Sequence, residues 1–209
     1  MKFDDAFRSR LHDLFVMRRD VRRFKTDAVP AGTIERLIET ACLSPSVGLS
    51  QPWRFVIVDD PARRAAIRDE FRSCNAEALA TYSGERAQHY AGLKLAGLEA
   101  APCQVSVFAD RSTKKGHRLG RRTMPEMIDY SVVAAVCTIW LAARAEGIGM
   151  GWVSILGPRR MNEILEVSKH WRFIGHFCLG YPETEDDRPE LERAEWERRS
   201  PPADFIVRR

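Results

Sequence analysis

Six segments of the chain have the residue pattern of helices, with apolar side chains on one face of the first of them. The pattern predicts helices over residues 4–17, 30–44, 62–81, 85–99, 125–146 and 158–167. The second helix ends near Ser44, because a residue before proline disfavours the helical conformation. The helix over 125–146 is apolar on nearly every side, so we expect neighbouring elements or a second subunit to bury it.

Four short apolar runs lie between helix-breaking and turn-forming residues and predict β-strands. They cover residues 53–58, 104–109, 147–155 and 173–179, and the third begins with glycines that end the preceding helix. Helices and strands in this order favour an α+β fold with helices packed on a sheet, formed by a single domain over residues 1–209. The tail at 182–209 has little apolar content, so we expect it to pack on a partner chain.

The composition is that of a globular protein, since 44% of the 209 residues are hydrophobic and 30% are charged. The longest apolar stretch, at 132–143, is too short to span a bilayer, so we expect no membrane segment. The first ten residues are not typical of an export signal, and an odd number of scattered cysteines argues against disulfides, so we expect a cytoplasmic protein. Histidines and cysteines show no metal-ligand spacing, so we expect no metal.

The net charge of +4 is compatible with a polyanion, but acidic residues separate most of the Arg-rich runs. We therefore expect a small phosphorylated ligand rather than nucleic acid. One such run places Arg18, Arg19 and Arg22 around Asp20, where the first helix ends. Guanidinium groups match phosphate oxygens bidentately. The alternative is that cations simply favour the C-terminus of a helix.

Three further segments are candidates for ligand contact. The loop at 44–53 is dense in small and hydrogen-bonding groups that suit a flat polar heterocycle, or it is only a turn between a helix and a strand. Glycines at 147–151 precede residues 152–154, and they either admit a ligand close to the main chain or end a helix. They lead into a strand, which is the reverse of the order in a Rossmann site. Arg199 in the tail is an anion ligand or a solvated charge.

In order along the chain, the segments RRDVRRF, SPSVGLSQPWRFV, LAARAEGIGMGWVSI and WERRSP resemble the flavin-dependent nitroreductase superfamily. More narrowly, the motifs at 18–22, 44–53, 83–97 and 151–155 are similar to those of the BluB family of 5,6-dimethylbenzimidazole synthases. The resemblance implies a nitroreductase-like α+β fold with a mainly antiparallel central sheet flanked by helices. It also implies a homodimer with two FMN sites at the subunit interface.

The same resemblance implies which residues bind the flavin. They are Arg18, Arg19, Val21, Arg22, Pro45, Ser46, Val47, Leu49, Gln51, Trp152, Val153 and Arg199. Among them, Arg18, Arg22 and Arg199 would hold the phosphate, residues 45–47 would come from the partner subunit, and residues 152–154 would lie near the reactive edge of the ring.

In the family, reduced FMN is the substrate and reacts with O2, and its fragmentation gives 5,6-dimethylbenzimidazole and erythrose 4-phosphate. The resemblance implies that Arg19, Asp20 and Gln51 face the ribityl chain or the ring. Asp20 and Ser154 would be the catalytic residues, Asp20 as a proton acceptor or relay and Ser154 by positioning oxygen or a ring nitrogen. We expect Asp20 to be ionised, because nearby positive charge favours the carboxylate.

One residue departs from the usual nitroreductase pattern S-x-x-N-x-Q-P-W, because Leu49 stands where asparagine is typical. An apolar residue there suits a closed pocket, and residues 83–97 would be a lid that excludes water and a nicotinamide donor. A separate flavin reductase would then supply the reduced FMN. The alternatives are an NAD(P)H-dependent nitroreductase or enone reductase that keeps its FMN, and more distantly a non-catalytic flavin or nucleic-acid binder.

Overall fold

A computed structural model describes residues 1–92 and 96–209 of the chain. In chain order the elements are α1 (Asp5–Met17), α2 (Thr33–Ala41), β1 (Trp53–Ile57), α3 (Pro61–Leu79), α4 (Gly84–Gly92), α5 (Gly97–Ala100), β2 (Cys103–Asp110), α6 (Met127–Ala145), β3 (Gly149–Val153), α7 (Pro158–Ile164), β4 (Trp171–Gly180) and α8 (Glu190–Arg193). The single helix predicted over 85–99 is therefore wrong at its end, where Gly97–Ala100 is a separate turn of helix. Residues 93–95, which belong to the predicted lid at 83–97, lie outside the described residues.

Polar side chains fix the start of two helices. Asp4 accepts a hydrogen bond from the main-chain N–H of Phe7 at 2.8 Å and so caps α1. Asp60 accepts one from the N–H of Ala62 at 2.9 Å, and Pro61 occupies the first position of α3, where no N–H is needed. These caps explain why both helices begin within a residue of their predicted positions.

The strands form one sheet in the order β1-β2-β4-β3 across the described residues, and each neighbouring pair is antiparallel. This confirms the predicted fold class. Strand β3 lies at an edge, so its outer main-chain groups are free to pair with another segment. A shift of register between Val107 and Phe108 bends β2 where it meets β4.

Helices cover both faces of the sheet and bury its apolar side chains. On one face α2 and α6 pack on the sheet, with Leu37 and Val136 almost fully buried. On the other face α3, α5 and α7 contribute Ile67, Leu98 and Met161 to a second apolar cluster. Burying a side chain of this size stabilises a fold by roughly 1.5–3 kcal/mol. The sheet is thus a rigid platform whose edge is available for a site.

Helix α6 is longer than the apolar stretch from which we predicted no membrane segment. Among the described helices it is the one whose length and composition would allow it to cross a bilayer, with a mean hydropathy of 1.4 over its 18-residue window. In the fold it lies against α2 and the sheet, and Val132, Ala135 and Ile139 are buried there. This is the arrangement of a core helix with one outward face.

A buried polar network crosses the sheet between β2 and β4. The Nδ1 atom of His176 lies 2.8 Å from Ser106 Oγ, and its Nε2 atom lies 3.1 Å from Gln104 Oε1. Gln104 also donates from its amide nitrogen to the carbonyl oxygen of Leu98, at 3.0 Å. The oxygen of Gln104 therefore accepts from Nε2–H, and the hydroxyl of Ser106 donates to Nδ1. Burial lowers the pKa of His176 to about 3.

We expect His176 to make the fold sensitive to acid. Its folded pKa lies below the ordinary value of 6.5, so the unfolded chain takes up a proton first, and stability falls as the pH drops from about 6.5 towards 3. Between pH 7 and pH 5 this contributes a loss of about 2 kcal/mol in the free energy of unfolding. Urea unfolding at both pH values measures it. His176→Gln should remove this part of the pH dependence, and equal pH dependence in variant and wild type would contradict it.

Another titratable group of β4 is also shielded. Burial raises the pKa of the Cys178 thiol to about 12, and the nearby carboxylate of Asp20 adds to the effect. The thiol thus remains protonated at ordinary pH and is a poor nucleophile.

The first part of the tail packs on its own chain. Glu185 forms an ion pair with Arg144 on α6 at 2.8 Å, and Asp186 pairs with Arg193 at 3.4 Å. Further on, the short 3-10 helix Pro202–Phe205 is exposed, as are the apolar residues that follow it. Packing of the tail on a partner chain stays a prediction, and residues 202–209 are the part of the tail that is free for it.

Candidate active site

The segment that follows α1 extends the sheet beyond its edge strand. The N–H of Val21 donates to the carbonyl oxygen of Met150 at 3.1 Å, and Asp20 pairs with Met150 as a parallel bridge. From the other side, Trp140 Nε1 donates to the carbonyl oxygen of Arg19 at 3.1 Å. The main chain around Asp20 is therefore held between β3 and α6.

Glycine is needed on β3 for this close approach. A Cβ atom on Gly151 would lie 2.1 Å from the carbonyl oxygen of Val21, and one on Gly149 would lie 2.8 Å from the Val21 side chain. Of the glycines at 147–151 that were candidates for close approach by a ligand, Gly149 and Gly151 admit the segment that carries Asp20. One contact is made by the main chain of Val21 and the other by its half-buried side chain, so both fix the position of that segment.

The carboxylate of Asp20 is bound by the main chain of the edge strand. Its Oδ1 accepts a hydrogen bond from the N–H of Trp152 at 2.8 Å, and its Oδ2 lies 3.6 Å from Arg22 Nε. Burial raises the pKa of Asp20, and Glu190 raises it further, whereas the Trp152 N–H and Arg22 act in the opposite direction. We predicted an ionised Asp20 from the neighbouring arginines; Arg22 does act in that direction, but the loss of solvent outweighs it, so ionisation of Asp20 stays a prediction. A raised pKa makes this carboxylate a stronger proton acceptor than an ordinary one.

Arginine side chains surround Asp20 on the solvent side. Arg18, Arg19, Arg22 and Arg199 line one cavity of about 130 Å³ together with Asp20. A second cavity of about 260 Å³ shares Arg19, Asp20 and Arg22 and also includes Val21. Residues of the tail between Thr184 and Ala194 form its other wall. Residues from the two ends of the chain, far apart in sequence, thus form one cationic site.

The arginines are crowded in a way that suits an anion. Burial lowers the pKa of Arg19, and the nearby charges of Arg199 and Arg18 lower it further. Within the described part of the chain, the buried Nε atoms of Arg19 and Arg22 have no hydrogen-bond partner. Arg18 lies over the ring of Trp140, with its guanidinium carbon 5.0 Å from the ring centroid. Like charges and unmet donors fit a phosphate group, which supplies both charge and acceptors.

Residues 152–154, which we predicted at the site, differ in their exposure. The indole of Trp152 packs against Trp140 and Phe177, with ring centroids 6.2 and 5.0 Å apart. Val153 is buried in the apolar cluster behind the sheet, so only its main chain is available to a ligand. Ser154 is exposed just beyond the end of β3. In an extended chain it lies about 7 Å along from Trp152, on the same side.

The loop at 44–52 lies near the other end of α6. The N–H of Val47 donates to Ser131 Oγ at 3.0 Å, and Ser46 Oγ accepts from the N–H of Gln51 at 3.1 Å. Ser131 and Trp140 are nine positions apart on the helix, a distance of about 14 Å along the axis. No residue of this loop lines either cavity around Asp20, as far as the described residues go. Within one chain, the predicted site is therefore divided into two halves.

The backbone conformation and the exposure of this loop are nevertheless typical of a segment that contacts a ligand. Leu49 and Gln51 have φ angles of 55° and 45°, in the left-handed region that non-glycine residues seldom adopt. Leu49 is 69% exposed, and the side-chain oxygen of Gln51 accepts from Lys115 Nζ. Pro45 is exposed as well. Strained, exposed residues of this kind are common where a loop contacts a ligand.

Sequence reasoning missed two contributors to the site. Trp140 was predicted only as part of an apolar helix, and its indole N–H and ring face gave no separate signal. Glu190 lies in a tail without apolar periodicity, yet it lines both cavities and acts on Asp20. The polar, charge-rich composition of the tail indicated solvent exposure, so only the fold reveals this contact.

Residues 16–181 match the nitroreductase family. The chain therefore belongs to the nitroreductase family, whose fold it shares. It is 52% identical to a 5,6-dimethylbenzimidazole synthase of Rhodospirillum rubrum over 199 residues, which cover 95% of this chain and 94% of that protein. It is 42% identical to a 5,6-dimethylbenzimidazole synthase of Rhodobacter capsulatus over 201 residues, which cover 96% of this chain and 97% of that protein. These relatives confirm the narrower resemblance and make the chain an enzyme of this superfamily.

A solved structure shares this fold. An iodotyrosine deiodinase crystallised with FMN and 3-iodo-L-tyrosine superposes with a TM-score of 0.71, at 24% identity, over 84% of this chain and 91% of that one. At this level of identity the likeness supports the fold alone.

Proposed function

We propose that the protein converts reduced FMN and O2 into 5,6-dimethylbenzimidazole and erythrose 4-phosphate, so that the flavin is its substrate. The observation that carries the proposal is Asp20, a carboxylate of raised pKa that the main chain of Trp152 holds inside a ring of arginines. Arginines that can bind an anion, beside a carboxylate whose pKa is raised, suit a phosphorylated substrate that loses protons as it breaks up. The 52% identity to a 5,6-dimethylbenzimidazole synthase supports the same assignment.

In this proposal the arginines bind the phosphate and set the position of the rest of the substrate. Arg18, Arg22 and Arg199 neutralise the phosphate, and Arg19 lies along the ribityl chain. Asp20 then takes up or relays protons while carbon–carbon and carbon–nitrogen bonds break. Ser154, exposed beyond the end of β3, positions oxygen or a ring nitrogen by a hydrogen bond.

A second copy of the chain completes the site. The outward face of α6 carries Tyr130, Val133, Ala134, Cys137 and Leu141, which are exposed or half-buried in a single chain. An apolar face of this size on a central helix suits a partner subunit. The partner would bring residues 45–51 to the half-site around Asp20, since one chain keeps these parts at different ends of α6. A sedimentation mass of a single 23.9 kDa chain for the FMN-bound protein would contradict this homodimer.

One measurement tests the function directly. Purified protein is incubated in air with FMN, NADH and a separate flavin reductase, and the products are analysed by mass spectrometry. We expect 5,6-dimethylbenzimidazole to appear, and we expect the protein alone to leave NADH unconsumed. Flavin that is only reoxidised would overturn the proposal. Rapid NADH oxidation without the added reductase would favour an ordinary nitroreductase that retains its FMN.

Arg199 offers a separate test of the phosphate site. Because a charged hydrogen bond contributes roughly 1.5–3 kcal/mol, Arg199→Gln is expected to weaken FMN binding by about ten- to one-hundredfold. Riboflavin lacks the phosphate, so its affinity should not change. Quenching of flavin fluorescence measures both affinities.

The control is Arg159→Gln, which removes an exposed arginine on α7 that lines neither cavity around Asp20 in the described part of the chain. It should bind FMN as the wild type does. Equal losses for FMN and riboflavin in Arg199→Gln would show that Arg199 does not act through the phosphate.

A further inference from the structure

An aromatic cluster joins α4 to the tail outside the cavities around Asp20. The rings of Tyr82 and Tyr90 stack with their centroids 4.8 Å apart. Trp196 of the tail meets Tyr82 edge-on at 5.9 Å and Tyr90 at 6.2 Å. Arg86 lies over the Trp196 ring, 5.4 Å from its centroid. A half-buried tryptophan thus contacts both α4 and the turn that precedes it.

Further polar contacts hold α4 against both α3 and the tail. The hydroxyl of Tyr90 donates to Asn75 Oδ1 on α3 at 2.9 Å. His89 on α4 contacts the carbonyl oxygen of Ala194 through its Nε2 atom. Helix α4 therefore lies between α3, which packs on the sheet, and the tail.

The tail residues on either side of Trp196 belong to the cavity walls. Ala194 lines the 260 Å³ cavity, and Leu191 and Arg199 line the 130 Å³ cavity. The N–H of Trp196 donates to the carbonyl oxygen of Leu191 at 2.9 Å, which closes a tight turn after α8. Trp196 is thus tied by its main chain to one wall residue and by its ring to α4. Arg199, the proposed phosphate ligand, follows shortly after it in the chain.

We propose that Trp196 is a positioning residue that couples α4 to phosphate binding. It holds the tail so that Arg199 faces the phosphate, and an Arg199 held by phosphate in turn fixes the Trp196 ring against Tyr82 and Tyr90. Binding of the phosphate and ordering of α4 are then one event. This inference rests on the proposed function only in taking FMN as the ligand.

If this coupling exists, the phosphate group determines whether α4 becomes ordered, in addition to raising the affinity for the flavin. Riboflavin offers the same ring and ribityl chain without the phosphate, so it leaves Arg199 and the tail without a partner. Only FMN should order α4 against the tail, and the two flavins should differ in this even when each is saturating. If the Trp196 contact only stabilised the fold, FMN and riboflavin would have the same effect on the order of α4.

Hydrogen–deuterium exchange of the peptide covering residues 84–92 tests this on the full-length protein with oxidised FMN or riboflavin. In the wild type, saturating FMN is expected to slow exchange there about tenfold, and riboflavin is not. Trp196→Ala should lose this protection and bind FMN about tenfold more weakly, with riboflavin affinity unchanged. Trp196→Phe retains a ring that packs on Tyr82, and it should restore the protection.

Trp171→Ala is the control, because it removes a tryptophan that packs on Phe108, away from α4. It should lower stability yet keep the protection by FMN. Protection in Trp196→Ala equal to that of the wild type, or equal protection of the wild type by both flavins, would overturn the inference. The proposed function fails separately, because its test is whether 5,6-dimethylbenzimidazole forms at all.

Discussion

Replacing Asp20 by asparagine is expected to lower the formation of 5,6-dimethylbenzimidazole at least one-hundredfold while leaving FMN bound. The asparagine oxygen still accepts the hydrogen bond from Trp152, so the segment keeps its place. The amide does not take up a proton, however, and loss of a proton acceptor typically costs a factor of about 10² to 10⁴ in rate. Product is measured by mass spectrometry after incubation with reduced FMN in air.

The same variant should be at least as stable as the wild type. Burial raises the pKa of Asp20, so its charged form opposes folding at pH values above its folded pKa, and this penalty disappears as the pH falls below the ordinary value of 3.8. Urea unfolding of Asp20→Asn at pH 7 should therefore show no loss of stability.

Glu39→Gln removes an exposed carboxylate on α2 and serves as the control, with normal product and stability. If Asp20→Asn made product at the wild-type rate, Asp20 would have no part in the reaction. If the variant unfolded more easily, the carboxylate would instead be structural.

Replacing Gly151 by alanine is expected to displace the segment that carries Asp20 and so to disrupt the site. The new Cβ would lie 2.1 Å from the carbonyl oxygen of Val21, a residue whose own N–H is bound to Met150. The strain is relieved only if the segment that carries Asp20 moves away from β3. We expect a loss of about 3 kcal/mol or more in the free energy of unfolding, together with FMN binding weakened at least one-hundredfold.

Gly32→Ala is the matched control for an added methyl group. Gly32 has a φ angle of 78°, and no heavy atom lies within 4 Å of the place that a methyl group would take, so alanine there meets only conformational strain of about 1–2 kcal/mol. Urea unfolding and FMN titration of both variants distinguish the steric clash expected in Gly151→Ala from the backbone strain expected in Gly32→Ala. Normal FMN binding in Gly151→Ala would mean that the edge pairing of Val21 is not needed for the site.

Local sequence patterns predicted the fold well because its elements are set by local spacing and caps. The strands at 53–58 and 104–109 and the helix at 4–17 begin and end within a residue of the observed bounds. The helix over 85–99 was wrong at its end, where Gly97–Ala100 forms a separate turn of helix.

The site was harder to predict, because its geometry depends on long-range contacts. The cluster around Asp20 was visible in sequence, and resemblance assigned Arg199 to the same site. The direction of the Asp20 pKa was not visible, since it depends on how much solvent the tail and β3 exclude. That the loop at 44–52 lies away from Asp20 within one chain was expected only through the implied dimer, and Val153 turns its side chain into the core for reasons of strand alternation.

The two buried titratable groups on β4, His176 and Cys178, do not change their charge over the ordinary pH range. His176 is neutral above about pH 3, and Cys178 is protonated below about pH 12. The strand behind Asp20 thus carries the same charge at every pH at which the reaction can be assayed. A bend in the pH profile of product formation near neutral pH therefore does not come from His176 or Cys178. Asp20 is the first other group to examine by substitution.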